Sequence, residues 1–196
     1  MVGSHPEVPV LLVTAAYLVV ALVAAVVTGN IEFVYYVAVV LVLGGAVWLA
    51  HRRVRFRPAV LWGLSSWGAA HMAGGLLPLD EVGVLYNLWL VPGWLKYDQL
   101  VHAAGFGLTT WLCWEAIRPG LTDARPRLGP LVLCAAAGCG FGALNEVLEF
   151  VAVLSIPDTN VGGYENTAWD LVFNLLGSVV AASWIGLAGR GATSAA

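Results

Sequence analysis

One run of 20 residues near the start of the chain, Val8–Val27, contains no charged side chain. A run of about 20 apolar residues is what a helix needs to cross the hydrocarbon core of a bilayer. The whole chain is 60% hydrophobic and only 11% charged, whereas soluble domains carry about 25% charged residues. Its polar side chains are too few to cover a soluble globule. The sequence therefore predicts an integral membrane protein.

The apolar pattern recurs along the chain and predicts an all-α, polytopic bundle of six transmembrane helices in a single domain, residues 1–196. The predicted spans are residues 8–27, 31–50, 58–79, 98–117, 128–154 and 168–187. A tight turn at residues 28–30 is expected to join the first two. The apolar segment Val82–Leu95 has only 14 residues and contains Pro92-Gly93. This length predicts a short interfacial or re-entrant helix between helices 3 and 4 rather than a span.

The basic residues are distributed unequally between the two ends of these spans. With six spans, eight of the nine basic residues fall on one side, and Lys96 alone falls on the other. The eight are Arg52, Arg53, Arg55, Arg57, Arg118, Arg125, Arg127 and Arg190. Because basic loops stay in the cytoplasm, we expect both termini to be cytoplasmic. The expected location is the cytoplasmic (inner) membrane.

Charge and cysteine content exclude two further classes of protein. A net charge of −3 offers no basic surface for nucleic acid, so no nucleic-acid partner is expected. The three cysteines all fall inside predicted spans, where a thiol usually serves as a small packing residue. A disulfide scaffold is therefore not expected, and the oligomeric state is left open.

Six ionisable side chains lie in the outer half of the third to sixth predicted spans, where such groups are costly and therefore suggest function. They are His71, Asp98, His102, Glu146, Glu149 and Asp170, and Asn145 and Asn174 accompany them. Helical spacing of three or four residues places the paired members on one face of each helix. At 1.5 Å per residue, all of them lie within about 12 Å of the outer ends of their helices. We expect one polar layer toward the extracytoplasmic side.

Carboxylates gathered at one depth in a low dielectric must be compensated by protons or by a cation. The expected cation is a divalent metal, zinc or otherwise manganese or iron, because imidazole and carboxylate suit these ions. The predicted metal ligands are His71, Asp98, His102, Glu149 and Asp170. Glu146 is the predicted catalytic base that acts on a metal-bound water. Asn174, with Asn145, is expected to orient the substrate or the ligands.

Taken singly, each of these residues also has a structural explanation. His71 on an apolar helix is commonly a packing histidine, and the glutamates can form hydrogen bonds to neighbouring helices. Asp98 and Asp170, near predicted helix starts, can act as N-terminal caps. Their coincidence in one layer favours a functional polar cavity instead.

Four short motifs follow one another within residues 60–180. They are HMAGG at 71–75, YDQLVHAAGF at 97–106, NEVLEF at 145–150 and WDLVFNLLG at 169–177. This ordered set resembles the YjdF-like family of bacterial and archaeal inner-membrane proteins. A more distant likeness is to VanZ-like proteins, which are linked to glycopeptide-antibiotic resistance. The resemblance implies a polytopic membrane protein with a shared polar motif set, and it does not imply a particular reaction.

The site chemistry favours a metal-dependent hydrolase-type enzyme that cleaves an ester or phosphoester. A membrane lipid or a lipid-linked molecule is the expected substrate, because the predicted topology has no large outer domain to recognise a soluble one. The alternative is a proton- or cation-coupled transporter. Against it, the inner half of the spans lacks polar residues, and the sequence shows no inverted repeat. A second alternative is a non-catalytic binding or scaffold protein, in which the polar cluster only sets helix register.

The orientation predicts which loops a membrane-impermeant thiol reagent can reach. A cysteine at position 158, Asp158→Cys, should be labelled in intact cells because the loop before the sixth span is expected outside. The matched control, Arg125→Cys in the predicted inner loop, should be labelled only after permeabilisation. Labelling of position 158 only from inside would overturn the orientation.

Overall fold

The computed structural model describes residues 7–123 and 125–194 and contains six long helices, as predicted. These are α1 (Glu7–Thr28), α2 (Ile31–Val54), α3 (Pro58–Leu76), α4 (Tyr97–Ile117), α5 (Leu128–Ser155) and α6 (Tyr164–Ser194). Among the described residues, the only strands have two or three residues each. The all-α fold class is therefore confirmed.

Four of the described helices are long and apolar enough to cross a membrane, namely α1, α2, α5 and α6 as far as Gly189. The other two, α3 and α4, are less apolar. Large apolar residues point outward, with Val27 80% exposed and Leu133 69% exposed, whereas Asp170 and Asn174 are each 1% exposed. This inverts the pattern of a soluble protein and suits a lipid environment. The chain is a multi-pass membrane protein.

The tight turn predicted between the first two helices is confirmed. The Asn30 amide N–H donates to the carbonyl of Ala25 at 2.8 Å, and Gly29 takes the positive φ of 71° that reverses the chain. The Asn30 side chain then accepts a hydrogen bond from the Phe33 N–H at 3.0 Å, so it caps the start of α2.

The prediction of a helix at Val82–Leu95 is wrong. Two antiparallel hairpins occupy this stretch, β1 (Pro78–Leu79) with β2 (Gly83–Val84) and β3 (Trp89–Val91) with β4 (Leu95–Lys96). A single 3-10 turn at Leu85–Asn87 separates them. Glycines 83 and 93 adopt φ values of +85° and +74°, which favour reversal of the chain over continuation of a helix. Whether the hairpins lie at the membrane interface stays a prediction.

The same hairpins shorten the third predicted span, and the sixth helix begins earlier than predicted. α3 ends at Leu76 because Pro78 and Leu79 pair with Val84 and Gly83. α6 begins at Tyr164, four residues before the predicted start at Ala168. This lengthening places Asp170 in the second turn of its helix rather than at the cap.

The chain forms two compact units. The first unit runs up to Asp98 and includes Val151–Val161, and the second comprises Gln99–Phe150 and the chain from Gly162 onward. The single domain inferred from the sequence stays a prediction, and the two units are described separately.

In the first unit, α1 packs against α3 and α2. The Thr14 and Ser65 hydroxyls share a hydrogen bond of 2.7 Å between α1 and α3. The apolar core of this unit consists of Leu18, Ala21, Ala25, Phe33, Tyr36, Val37, Met72 and Ala152.

In the second unit, a close approach of two backbones brings α4 and α6 together. A Cβ added at Gly177 on α6 would clash with the backbone carbonyl of Ala103 on α4. Small residues of this kind let membrane helices pack tightly. The apolar core of the unit consists of Trp114, Leu131, Cys134, Ala182 and Ile185, and Cys134 serves there as the packing residue expected of it.

Gly177→Ala should reduce the free energy of unfolding by about 1–3 kcal/mol, the usual cost of overpacking. The new methyl group meets backbone, which cannot rotate away as a side chain can. Thermal unfolding in detergent measures the change. Gly140→Ala is the matched control, since a Cβ there has nothing within 4 Å. Equal destabilisation by both variants would contradict the close approach.

Candidate functional site

The imidazole of His102 is surrounded by polar side chains from the other two helices of the second unit. Its Nδ1 lies 3.0 Å from Asn174 Oδ1 and 3.6 Å from Glu146 Oε1. Its Nε2 lies 4.0 Å from Asp170 Oδ1. All four residues are buried. One helix, α4, thus supplies an imidazole that residues of α5 and α6 surround.

Three side chains in this cluster can hold a metal ion. One ligand atom each from His102, Glu146 and Glu149 lies within 4.8 Å of the others. Zinc binds such nitrogen and oxygen atoms at about 2.0–2.2 Å. The three atoms are near enough for side-chain rotation to bring them around one ion.

Two asparagine amides hold carboxylates of the cluster in place. Asn145 Nδ2 donates to Glu149 Oε1 at 2.7 Å, and Asn166 Nδ2 donates to Asp170 Oδ2 at 2.6 Å. Each pair spans one turn of a single helix. Such hydrogen bonds are the usual outer support of carboxylates that bind metals.

Asn166 belongs to this cluster but is not among the site residues predicted from the sequence. Its position four residues before Asp170 is a usable signal, because that spacing places both on one helix face. The predicted sixth span begins at Ala168, which puts Asn166 in the preceding loop. A prediction that starts the sixth helix at Tyr164 would include Asn166 on the same face as Asp170.

Asn174 orients His102 through a side-chain hydrogen bond. A neutral imidazole that donates from Nδ1 to Asn174 Oδ1 leaves its Nε2 lone pair on the side of Asp170. The Asn174 amide fits closely against Gly142, where an added Cβ would lie 2.6 Å from Nδ2. Asn174 is 1% exposed. Of the two roles predicted for Asn174, orienting the substrate or orienting the ligands, this burial favours the second.

The electrostatics of the cluster require a positive partner. Glu146, Glu149 and Asp170 approach one imidazole in a medium that screens charge poorly. The helices that carry the cluster, α4 to α6, contain no Lys or Arg before Arg190. A cation or protons can supply the compensating charge.

His71 lies in the first unit and has an aromatic environment. The Tyr86 hydroxyl contacts its Nδ1 and donates to its backbone carbonyl at 2.9 Å. The rings of Phe33, Tyr36, Trp67 and Tyr86 have centroids 5.5–6.2 Å from the imidazole. Within the described residues, His71 belongs to no group of three or more metal-competent side chains. Its role as a ligand stays a prediction.

Asp98 lies in the first turn of α4, one turn before His102 on the same helix. Its position still suits the capping explanation considered for it, and its role as a ligand stays a prediction. The same explanation does not hold for Asp170, which is the seventh residue of α6.

The fit between Gly142 and Asn174 can be tested with a double-mutant cycle. Gly142→Ala should reduce the free energy of unfolding by about 1–3 kcal/mol, because its methyl group would also lie 2.9 Å from Asn174 Cβ. In an Asn174→Gly background, which removes the Cβ as well as the amide, the same change should cost much less, giving a coupling of at least about 1 kcal/mol. Additive costs would show that the two residues do not compete for this space.

A family model described as predicted membrane protein, DUF2238, matches residues 9–190. No curated protein and no solved structure matches the chain. The matched range includes every residue of the cluster around His102, which we call the His102 cluster: His102, Asn145, Glu146, Glu149, Asn166, Asp170 and Asn174. It supports the predicted class of family, whereas the YjdF-like and VanZ-like likenesses stay predictions. The chain belongs to the DUF2238 family of predicted membrane proteins.

Proposed function

We propose that this protein is a metal-dependent, hydrolase-type membrane enzyme that acts on a lipid or lipid-linked substrate. The observation that carries the proposal is the approach of His102, Glu146 and Glu149 ligand atoms to within 4.8 Å of one another. A divalent cation bound there would acidify a coordinated water. The chain itself would supply the ligands, the base and the groups that orient them.

The donor set determines which cations are expected. One imidazole and several carboxylates provide nitrogen and oxygen donors, and no cysteine belongs to the cluster. Such a set suits zinc, with manganese or iron as the next candidates. Zinc in catalytic sites keeps one position open for water, which a hydrolytic role requires.

The hydrogen bonds of the cluster divide the roles among the carboxylates. Glu149 and Asp170 each accept a hydrogen bond from an asparagine, so we assign them, with His102, as ligands. Glu146 has a carboxylate oxygen within 4.8 Å of a Glu149 oxygen and is assigned as the general base, the role that the sequence predicts for it. It would accept a proton from water and return it to the leaving oxygen. His71 and Asp98 are proposed as further ligands on the basis of the sequence.

A lipid substrate is supported by the surroundings of the cluster. The helices α5 and α6, which carry the carboxylates, expose large apolar side chains such as Val147 and Leu175. A scissile group attached to an acyl or prenyl chain could approach through the bilayer without leaving it. From the excess of basic residues on one side of the spans, we infer that the cluster faces the extracytoplasmic side of the cytoplasmic membrane.

Elemental analysis of purified protein tests the proposal. One equivalent of zinc, manganese or iron per chain is expected, and His102→Ala and Glu149→Gln should lose it. Glu146→Gln should keep the metal but reduce hydrolysis about 10²- to 10⁴-fold, the usual share of a general base. Glu165→Gln is the matched control, because Glu165 is an exposed glutamate on α6. His71→Ala and Asp98→Ala test the two further ligands in the same assay.

Three results would contradict parts of this assignment. Protein that contains no metal after several metal-replete preparations would contradict the proposal of a metal-dependent enzyme. Loss of metal from Glu146→Gln would make Glu146 a ligand rather than the base. Variants of His102 and Glu146 that change stability and nothing else would favour the scaffold protein.

A second candidate function, proton-coupled transport, is favoured by one observation. Each ring nitrogen of His102 faces a carboxylate oxygen, at 3.6 Å for Nδ1 and 4.0 Å for Nε2. This arrangement suits a protonated imidazole that exchanges protons with both sides, as histidines do in membrane proton relays. Metal-free protein whose proton flux in liposomes is abolished by His102→Ala would establish this function instead.

A further inference from the structure

A small aromatic cluster packs at the turn between α2 and α3. The buried His51 ring stacks on Trp48 with centroids 5.6 Å apart and lies 6.0 Å from the Phe56 ring. The Arg55 N–H closes the end of α2 by donating to the His51 carbonyl at 2.8 Å. Because His51 and Phe56 turn inward, the side chains of Arg52, Arg53 and Arg55 are all exposed.

Arg55 occupies a backbone conformation that arginine rarely adopts. It has φ 59° and ψ 60°, and it is the only described residue other than glycine with a positive φ. Glycine or asparagine is the usual residue at this position after a helix. The backbone conformation at position 55 favours glycine or asparagine. The arginine found there adds a positive charge to the turn. Such outliers are a reason to look for a function.

The positive charges of the turn have no acidic residue near them in the sequence. No aspartate or glutamate occurs between Phe33 and Leu79. By contrast, the arginines of the loop before α5 have an acidic partner, since Arg127 donates to Asp123 at 2.7 Å and Arg125 lies 4.0 Å from it. The two basic loops therefore differ in local charge balance.

We propose that Arg52, Arg53 and Arg55 form a binding site for the phosphate groups of anionic phospholipids. The turn directly follows α2, a helix apolar enough to cross the bilayer, so its side chains are at the depth where headgroups lie. Guanidinium groups match phosphate oxygens in pairs. Clusters of basic residues next to a membrane helix attract anionic lipids. This site is independent of the His102 cluster and lies in the first unit.

Titration of phosphatidylglycerol into the detergent-purified full chain, with bound lipid counted by native mass spectrometry, tests the proposal. The natural protein should bind phosphatidylglycerol more tightly than phosphatidylcholine. The triple variant R52Q/R53Q/R55N should weaken that binding about a hundredfold, given about fivefold per arginine. The matched control R125Q/R127Q should leave it unchanged. Glycerol phosphate should not compete at equal concentration, because the acyl chains contribute to binding.

Single variants at position 55 keep the test decisive if the triple variant does not fold. Arg55→Asn should reduce phosphatidylglycerol affinity about fivefold while thermal stability without lipid stays equal or rises, since asparagine tolerates this conformation. Arg55→Lys should keep the affinity within about twofold, because the charge remains. Equal binding of both lipids by the natural protein, or unchanged affinity in Arg55→Asn, would overturn the proposal. Competition by glycerol phosphate would show a free-phosphate site instead of a lipid site.

Discussion

The second unit depends on the burial of charged and polar groups within helices that lipid surrounds. An imidazole and several carboxylates in such a medium must compensate one another or bind a cation, since water does not screen them. His102 lies between Asn174 at one ring nitrogen and Asp170 at the other, where a cation or a proton can compensate the carboxylates. Close backbone approaches and amide hydrogen bonds hold the imidazole and the carboxylates in this arrangement.

Helix packing and site chemistry use the same glycines. Gly177 allows α6 to lie directly against the α4 backbone, and Gly142 leaves the space that the Asn174 amide occupies. A larger residue at either position would separate the helices or turn the amide away from His102. The orientation of the imidazole is therefore a consequence of tight packing rather than an independent feature.

Much of this structure is accessible from the sequence, for reasons that differ between residues. Long apolar runs predict the six helices, and i,i+4 spacing predicts that Asp170 and Asn174 share a face. The hairpins at residues 78–96 escape prediction because apolar composition alone does not distinguish a short helix from a β-turn with Gly83 and Gly93 at positive φ. The aromatic environment of His71 depends on contacts distant in sequence, with Phe33 and Tyr86, which spacing along one helix does not reveal.

Four polar residues of α6 form a stripe along one face of the helix, and this has a consequence for how the chain can vary. Asn166, Asp170, Asn174 and Ser178 follow at intervals of four residues, and Ser178 Oγ donates to the Phe106 carbonyl at 3.4 Å. Insertion or deletion of one residue within this stretch would rotate the downstream part of the stripe by about 100° relative to the upstream part. The stripe therefore depends on the number of residues between Asn166 and Ser178 as well as on which side chains they carry.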